Sequence, residues 1–272
     1  MKILIQWACL ISILTLASCE EVIDLDLGDT PPQINIEGVV STDPGPYTVK
    51  ITQSVNYGEQ NLFPPVSGAL ITISDEEGRS EVLEEQGQGI YYTTNLQGQK
   101  GKTYRTDVDI EGKKYSAAST IPPTVIPIHS ISYEFVEESL FNDEGYYLTA
   151  FFSDPSDEVN YYRLKFFVNG EPYMIEVDDN LVKDDNFWLI NDKFFNGKMI
   201  DFEFPFPLKD DDEVNIELHQ VDQATFNYYR TLVELMGEGG VAPSNPLSNW
   251  SNGALGYFGA LSISYGSITI IE

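Results

Sequence analysis

Alternation with a period of two residues runs through this chain and restricts most of it to sheet. In residues 104–111, Tyr104, Thr106, Val108 and Ile110 alternate with Arg105, Asp107, Asp109 and Glu111. An extended strand with that pattern turns one set of side chains to a core and the other to water. Further strands are predicted over 34–40, 47–53, 69–74, 90–94 and 113–120, then over 128–136, 146–152, 161–168, 171–177 and 213–219. Turn formers separate them: Asp43-Pro44-Gly45-Pro46, Phe63-Pro64-Pro65, Glu76-Glu77-Gly78, Glu111-Gly112 and Asn169-Gly170. The last two read as tight hairpins, where glycine supplies the positive φ that the turn needs. Short strands between Gly/Pro turns predict sandwiches.

Three prolines in Ile121-Pro122-Pro123-Thr124-Val125-Ile126-Pro127 remove amide donors and favour extended backbone, so a joint is expected there. It divides the chain into an immunoglobulin-like β-sandwich over 33–123 and a second, larger β-sandwich over 124–272. One helix is expected near 223–236, with Asp222 as its cap, Phe226, Tyr229, Val233 and Met236 on one face, and Gly237 as its stop. It reads as a helix packed on the sheet edge, or alternatively as a lid. Apolar closing strands follow over 254–271. The expected fold class is therefore mainly all-β, two sandwich domains with one packed α-helix.

The two cysteines bear on how such a fold is held. Lys2, an apolar run over 3–16 too short to span a bilayer, and Leu16-Ala17-Ser18-Cys19 resemble the leader of a bacterial lipoprotein. That resemblance implies removal of residues 1–18 as a signal peptide and acylation of Cys19, each buried methylene adding about 0.8 kcal/mol of anchoring. Cys9 would leave with the leader, so no thiol would remain for a disulfide or a nucleophile. A cleaved leader ending at a chance cysteine, or a plain N-terminal anchor, is the alternative. Residues 19–32 form an acidic tether ending in Pro31-Pro32. Its first acids, Glu20 and Glu21, resemble the signal that exports lipoproteins of Bacteroidota to the outer face of the outer membrane.

Charge excludes some partners. Forty-three Asp and Glu against 15 Lys and Arg give a formal charge of −28, which repels nucleic acid and anionic lipid surfaces. With 42% hydrophobic residues the chain still has the material for one or two cores.

Sites of chemistry are sparse. No strained-elbow serine sits beside a histidine, and no pair of histidines lies one helical turn apart with a glutamate. His129 and His219 are separated by most of the second half and read as surface or satisfied residues. A carboxylate pair for glycoside hydrolysis can always be chosen from so many acids, so a hydrolase is the least favoured reading and no catalytic residue is assigned. Two acidic clusters, Asp178-Asp179 with Asp184-Asp185 and Asp210-Asp211-Asp212-Glu213, are compatible with calcium but read as solvated turns; no metal or cofactor is predicted. The polar, proline-stiffened segment 242–253 is the candidate recognition loop, through Asn245, Asn249, Trp250 and Asn252. The competing reading has Trp250 plugging the end of a sandwich.

Two resemblances add to this. The run Val66-Ser67-Gly68-Ala69-Leu70-Ile71-Thr72-Ile73, with Gly89-Ile90-Tyr91-Tyr92, is similar to transthyretin-like or carboxypeptidase-regulatory-like domains found beside bacterial outer-membrane receptors. Asn160-Tyr161-Tyr162-Arg163, Asp222-Gln223-Ala224-Thr225-Phe226-Asn227-Tyr228-Tyr229, and Pro243 to Pro246 followed by Asn252-Gly253-Ala254-Leu255-Gly256-Tyr257-Phe258-Gly259-Ala260, resemble a Bacteroidota outer-membrane lipoprotein family defined only as a domain of unknown function. Members tend to be encoded beside TonB-dependent receptors. The resemblance implies a lipid-anchored, surface-exposed, non-catalytic accessory or ligand-capture subunit of such a receptor or a related outer-membrane barrel. The alternative is a freestanding glycan- or peptide-binding or adhesion module.

Overall fold

The computed structural model describes residues 31–55, 63–173, 187–236 and 244–272. The first half forms β1 (Ile34–Ser41), β2 (Thr48–Gln53), β3 (Leu70–Asp75), β4 (Ser80–Val82), β5 (Glu84–Glu85), β6 (Ile90–Tyr92), β7 (Thr103–Ile110) and β8 (Lys113–Thr120). The second forms β9 (Ile128–Val136), β10 (Gly145–Ser153), β11 (Tyr161–Val168), β12 (Glu171–Pro172), β13 (Phe187–Asn191), β14 (Met199–Glu203), β15 (Glu213–Val221), helix α1 (Gln223–Met236) and β16 (Leu255–Thr269). The fold is mainly β, as the alternation predicts. At both hairpins the two turn residues have positive φ, 52° and 88° at Glu111-Gly112 and 53° and 82° at Asn169-Gly170. Of the strand expected over 171–177, Glu171–Pro172 is present and 174–177 lies outside the described residues.

A nine-stranded sheet runs in the order β12-β11-β15-β16-β1-β2-β6-β5, with β13 also paired to β11. Among the described residues there are also a four-stranded sheet, β4-β3-β7-β8, and a three-stranded one, β14-β10-β9. The closing segment is one strand of 15 residues and belongs to both halves. Its residues 255–261 pair in parallel with β1, from Asn35↔Leu255 to Ser41↔Leu261. Its residues 262–269 pair antiparallel with β15, from Gln220↔Ser262 to Glu213↔Thr269. At about 3.3 Å per residue, β16 has a contour length of roughly 46 Å.

The period of two on β16 divides its contacts. Phe258 and Ala260 enter a first core with Ile36, Val49, Ile51, Ile71, Ile73 and Val108. Farther along the same face, Ile268 packs against a second core built around Leu148, Phe152, Tyr162, Phe166 and Ile216. On the opposite face, Leu261 and Ile263 meet Phe226 of α1, together with Val39, Tyr161, Leu189 and Val221. The expected division at 123/124 is thus crossed in space, because the last strand of the expected second sandwich pairs with β1 and closes the core of the first.

Asp222 caps α1, its Oδ1 accepting the Thr225 N–H at 2.8 Å. Aromatic and small residues make the buried face: Thr225, Phe226, Tyr228 and Tyr229 are all buried, whereas Val233 is 48% exposed. The expected face therefore holds in its first turns and not at Val233. Nor does the helix lie on a sheet edge. It lies against strands from the middle of the nine-stranded order, where side chains of β1, β11, β15 and β16 converge. Gly237, the expected stop, is outside the described residues.

Candidate functional site

The candidate recognition loop, described over 244–253, is turned inward at Trp250, while Ser244, Asn245, Leu247, Asn252 and Gly253 are exposed. Trp250 is 6% exposed and lies in the first core, its Nε1 donating to the Ile36 carbonyl at 2.9 Å. Asn249 acts as a short stretch of strand: its Nδ2 donates to the Phe258 carbonyl at 2.7 Å, and its Oδ1 accepts the Phe258 N–H at 2.9 Å. Asn252, at φ 55°, donates from Nδ2 to the Lys114 carbonyl at 2.7 Å. Asn245 reaches Gln33 Oε1 at 3.4 Å. The loop is also tied to β8 through Ser251 Oγ, which accepts the Ser116 N–H at 2.8 Å. Thr231 Oγ1 accepts the Leu247 N–H at 2.9 Å and so joins the loop to α1. Asn249, Trp250 and Asn252 therefore act as fasteners of β16, β1 and β8, whereas Asn245 is exposed and reaches only Gln33, ahead of β1. The mixture of amides and an indole that suits recognition equally suits closing a sandwich end, where orphan backbone groups need partners.

Gly256 explains how the indole reaches β1. Its φ is +86°, and a Cβ there would stand 2.2 Å from the Ile36 carbonyl oxygen. Only glycine lets β16 approach β1 so closely at the point where that carbonyl turns to Trp250.

A buried polar cluster that the sequence reading did not single out lies under α1. Register places Arg163 of β11 opposite His219 of β15. Arg163 donates to His219 Nδ1 at 2.8 Å, and His219 Nε2 lies 2.8 Å from Glu217 Oε2. An arginine cannot accept, so Nδ1 must be the acceptor, and the histidine is the neutral tautomer donating from Nε2 to the carboxylate. Burial pushes His219 down to about 4, with the Arg163 charge adding to this and the Glu217 hydrogen bond opposing it. Burial alone would raise Glu217; the His219 hydrogen bond and the charges of Lys165 and Arg163 carry it below its usual value. The guanidinium carbon sits 4.3 Å from the Tyr229 ring centre, a cation–π geometry, and Tyr229 Oη donates to Tyr257 Oη at 2.6 Å. Arg163 Nε has no hydrogen-bond partner among the described residues. What this arrangement does chemically is hold one positive charge beneath the helix and fix the orientation of α1 against β11 and β15. His219, read from the sequence as a surface or satisfied residue, is buried with both ring nitrogens partnered; the arginine inside Asn160-Tyr161-Tyr162-Arg163 was the available signal for the cluster.

A second polar link ties the helix to both halves. Asp222 Oδ2 accepts from Ser119 Oγ at 2.7 Å, and Ser119 Oγ accepts the Ala260 N–H at 2.7 Å. One cap thus joins α1, β8 and β16. The acidic run 210–213 serves turns in the same way: Asp212 Oδ2 accepts the Lys209 N–H at 2.7 Å, and Asp210 Oδ1 accepts the Glu272 N–H at 2.9 Å. His129 is exposed and lies 3.1 Å from Ser153 Oγ. Among the described residues no group of three or more His, Cys, Asp or Glu is arranged to hold a metal. Cys19, Glu20 and Glu21, and the cluster Asp178-Asp179 with Asp184-Asp185, lie outside the described residues.

A family model described as "Domain of unknown function (DUF4249)" matches residues 20–265. No curated protein matches the chain.

Proposed function

We propose that this chain, which belongs to the family described as a domain of unknown function (DUF4249), is a lipid-tethered outer-membrane protein that acts without catalysis as an accessory or ligand-capture subunit of a TonB-dependent receptor or related barrel. The observation that carries this reading is the placement of the two ends of the molecule. The chain leaves its N-terminal stretch at Gln33, whose N–H is held by Ser54 Oγ at 2.9 Å, and starts β1 beside the first residue of β16. β9 follows the far half of β16 to its end: Ser264 Oγ donates to the Ile126 carbonyl at 2.6 Å, and Tyr133 Oη donates to the Ile271 carbonyl at 3.1 Å. The point where the chain enters β1 and the β9–β10 end are then separated by the length of one continuous strand, an arrangement suited to presenting a surface away from the side on which the tether joins. The leader, the Glu20-Glu21 pair and the resemblance to a Bacteroidota lipoprotein family support the outer-membrane and surface assignments.

A pull-down in mild detergent from the native membrane tests it. Recovery of an outer-membrane barrel in stoichiometric amount is expected. Recovery of the lipoprotein alone would overturn the accessory role and favour a freestanding binding module.

A further inference from the structure

We infer that the β9–β10 turn is a docking knob for an apolar pocket with a basic rim on a protein partner. Its most exposed residues are Leu140 and Phe141, 97% and 92% exposed, adjacent at the far end from the tether. Phe135, 53% exposed, stands on the same hairpin and meets Tyr146 edge-on at 5.1 Å. Two neighbouring large apolar side chains left almost wholly in water are an unusual feature for a surface turn, and adjacent exposed apolar residues mark interaction sites.

The turn is built rather than slack. Ser139 Oγ accepts the N–H groups of Phe141 at 3.2 Å and Asn142 at 3.0 Å. Ser139 donates its own N–H to the Asn142 carbonyl at 2.9 Å, and Tyr147 Oη donates to the Asp143 carbonyl at 3.1 Å. The backbone is closed on itself while the two side chains point away from it, so docking requires little ordering of the main chain.

Charge identifies the occupant. Glu134, Glu137, Glu138, Asp143 and Glu144 flank the pair in sequence and are exposed, and the hairpin from 128 to 153 contains neither Lys nor Arg. A phosphate-bearing lipid surface would be repelled by these five acids, and insertion would desolvate them. A second copy of the chain would set five acids against five. A pocket apolar at its centre and lined at its edge by Lys or Arg satisfies both parts, with the apolar pair as anchor and the acids as a steering rim. The inference rests on the accessory reading, and adds the contact through which the partner is held.

The test places p-benzoylphenylalanine at position 141 of the full-length lipidated protein in its native cells, with position 194, another exposed aromatic site, as a control. Ultraviolet light is expected to join position 141 to one outer-membrane protein, at a peptide whose apolar residues are flanked by Lys or Arg. The yield should fall about tenfold when Glu137→Lys and Glu138→Lys are added, while circular dichroism of the variant stays unchanged. An adduct with lipid, with a second copy, or with a peptide lacking basic neighbours would overturn the inference, as would no adduct. If a barrel still copurifies with the wild type while position 141 gives no adduct, the knob fails and the accessory reading stands; if nothing copurifies, both fail.

Discussion

Replacing Trp250 with Ala should destabilise the whole molecule, including the half of it that Trp250 does not touch. The indole is buried in the first core, beside Phe258, and satisfies the Ile36 carbonyl. Removing a buried Trp costs about 3–5 kcal/mol through lost transfer energy and an unfilled cavity. The orphaned carbonyl adds on the order of 1 kcal/mol. With an m-value near 2–3 kcal/mol/M in urea, a loss of about 4 kcal/mol moves the midpoint down by roughly 1.3–2 M. Trp250→Phe keeps most of the packing, and should cost about 1–2 kcal/mol. Once Trp250 is gone and the leader with Trp7 removed, the remaining tryptophan is Trp188, which packs against the second core. Because β16 is shared, Trp188 fluorescence and backbone circular dichroism should shift together. A Trp250→Ala midpoint within about 0.3 M of wild type, on the order of 1 kcal/mol or less, would return the loop to a recognition role. A Trp188 transition that keeps its wild-type midpoint would show that β16 does not couple the cores.

Four further outcomes follow from the same contacts. His219 titrates near 4 when folded and near 6.5 when unfolded, so the unfolded chain binds more protons between these values. Its contribution is therefore complete above pH 6.5 and is lost as pH falls toward 4, about 3 kcal/mol in all, and His219→Gln should flatten that part of the urea-midpoint profile. Gly256→Ala forces a side chain into the Ile36 carbonyl and should cost about 3 kcal/mol or more, read as lost soluble yield or a collapsed thermal midpoint. Asp222→Ala removes the helix cap and the Ser119 link; about 1–3 kcal/mol is expected, and Asp222→Asn should recover part of it by still accepting from Thr225. Changing Glu20 and Glu21 to Ala should lower protease accessibility on intact cells, and unchanged accessibility would separate these acids from surface export.

What the sequence disclosed was local. The alternation of Tyr104 to Glu111, the turns at Glu111-Gly112 and Asn169-Gly170, and the Asp222 cap each depend on neighbours within a few residues, and all appear in the structure. Short strands such as β4, β5, β13 and β14 carry too few residues for a period to register. Pairing across sheets is a matter of space. The apolar run from 255 to 269 shows a strand, but nothing in its spacing shows that one half pairs with β1 and the other with β15. The same holds for the candidate sites. Asn249 and Trp250 have the chemistry of a binding loop, and only the positions of Phe258 and Ile36 reveal that their polar atoms are used within the fold. His219 sits on a strand face that reads as polar, and its buried partner Arg163 lies 56 residues away in the chain.

The proposed function depends most on β16 holding the start of β1 and the Leu140-Phe141 turn apart as one body. Spin labels at Lys50→Cys, paired with Glu37 near the start of β1, and at Asn142→Cys on the far turn, in a Cys9→Ser, Cys19→Ser background, measure that directly. From the rise of an extended strand, a single narrow distance distribution centred on the order of 45 Å is expected. A broad or two-peaked distribution, or a mean far below this value, would show two sandwiches that move independently and would contradict the arrangement from which the function is argued.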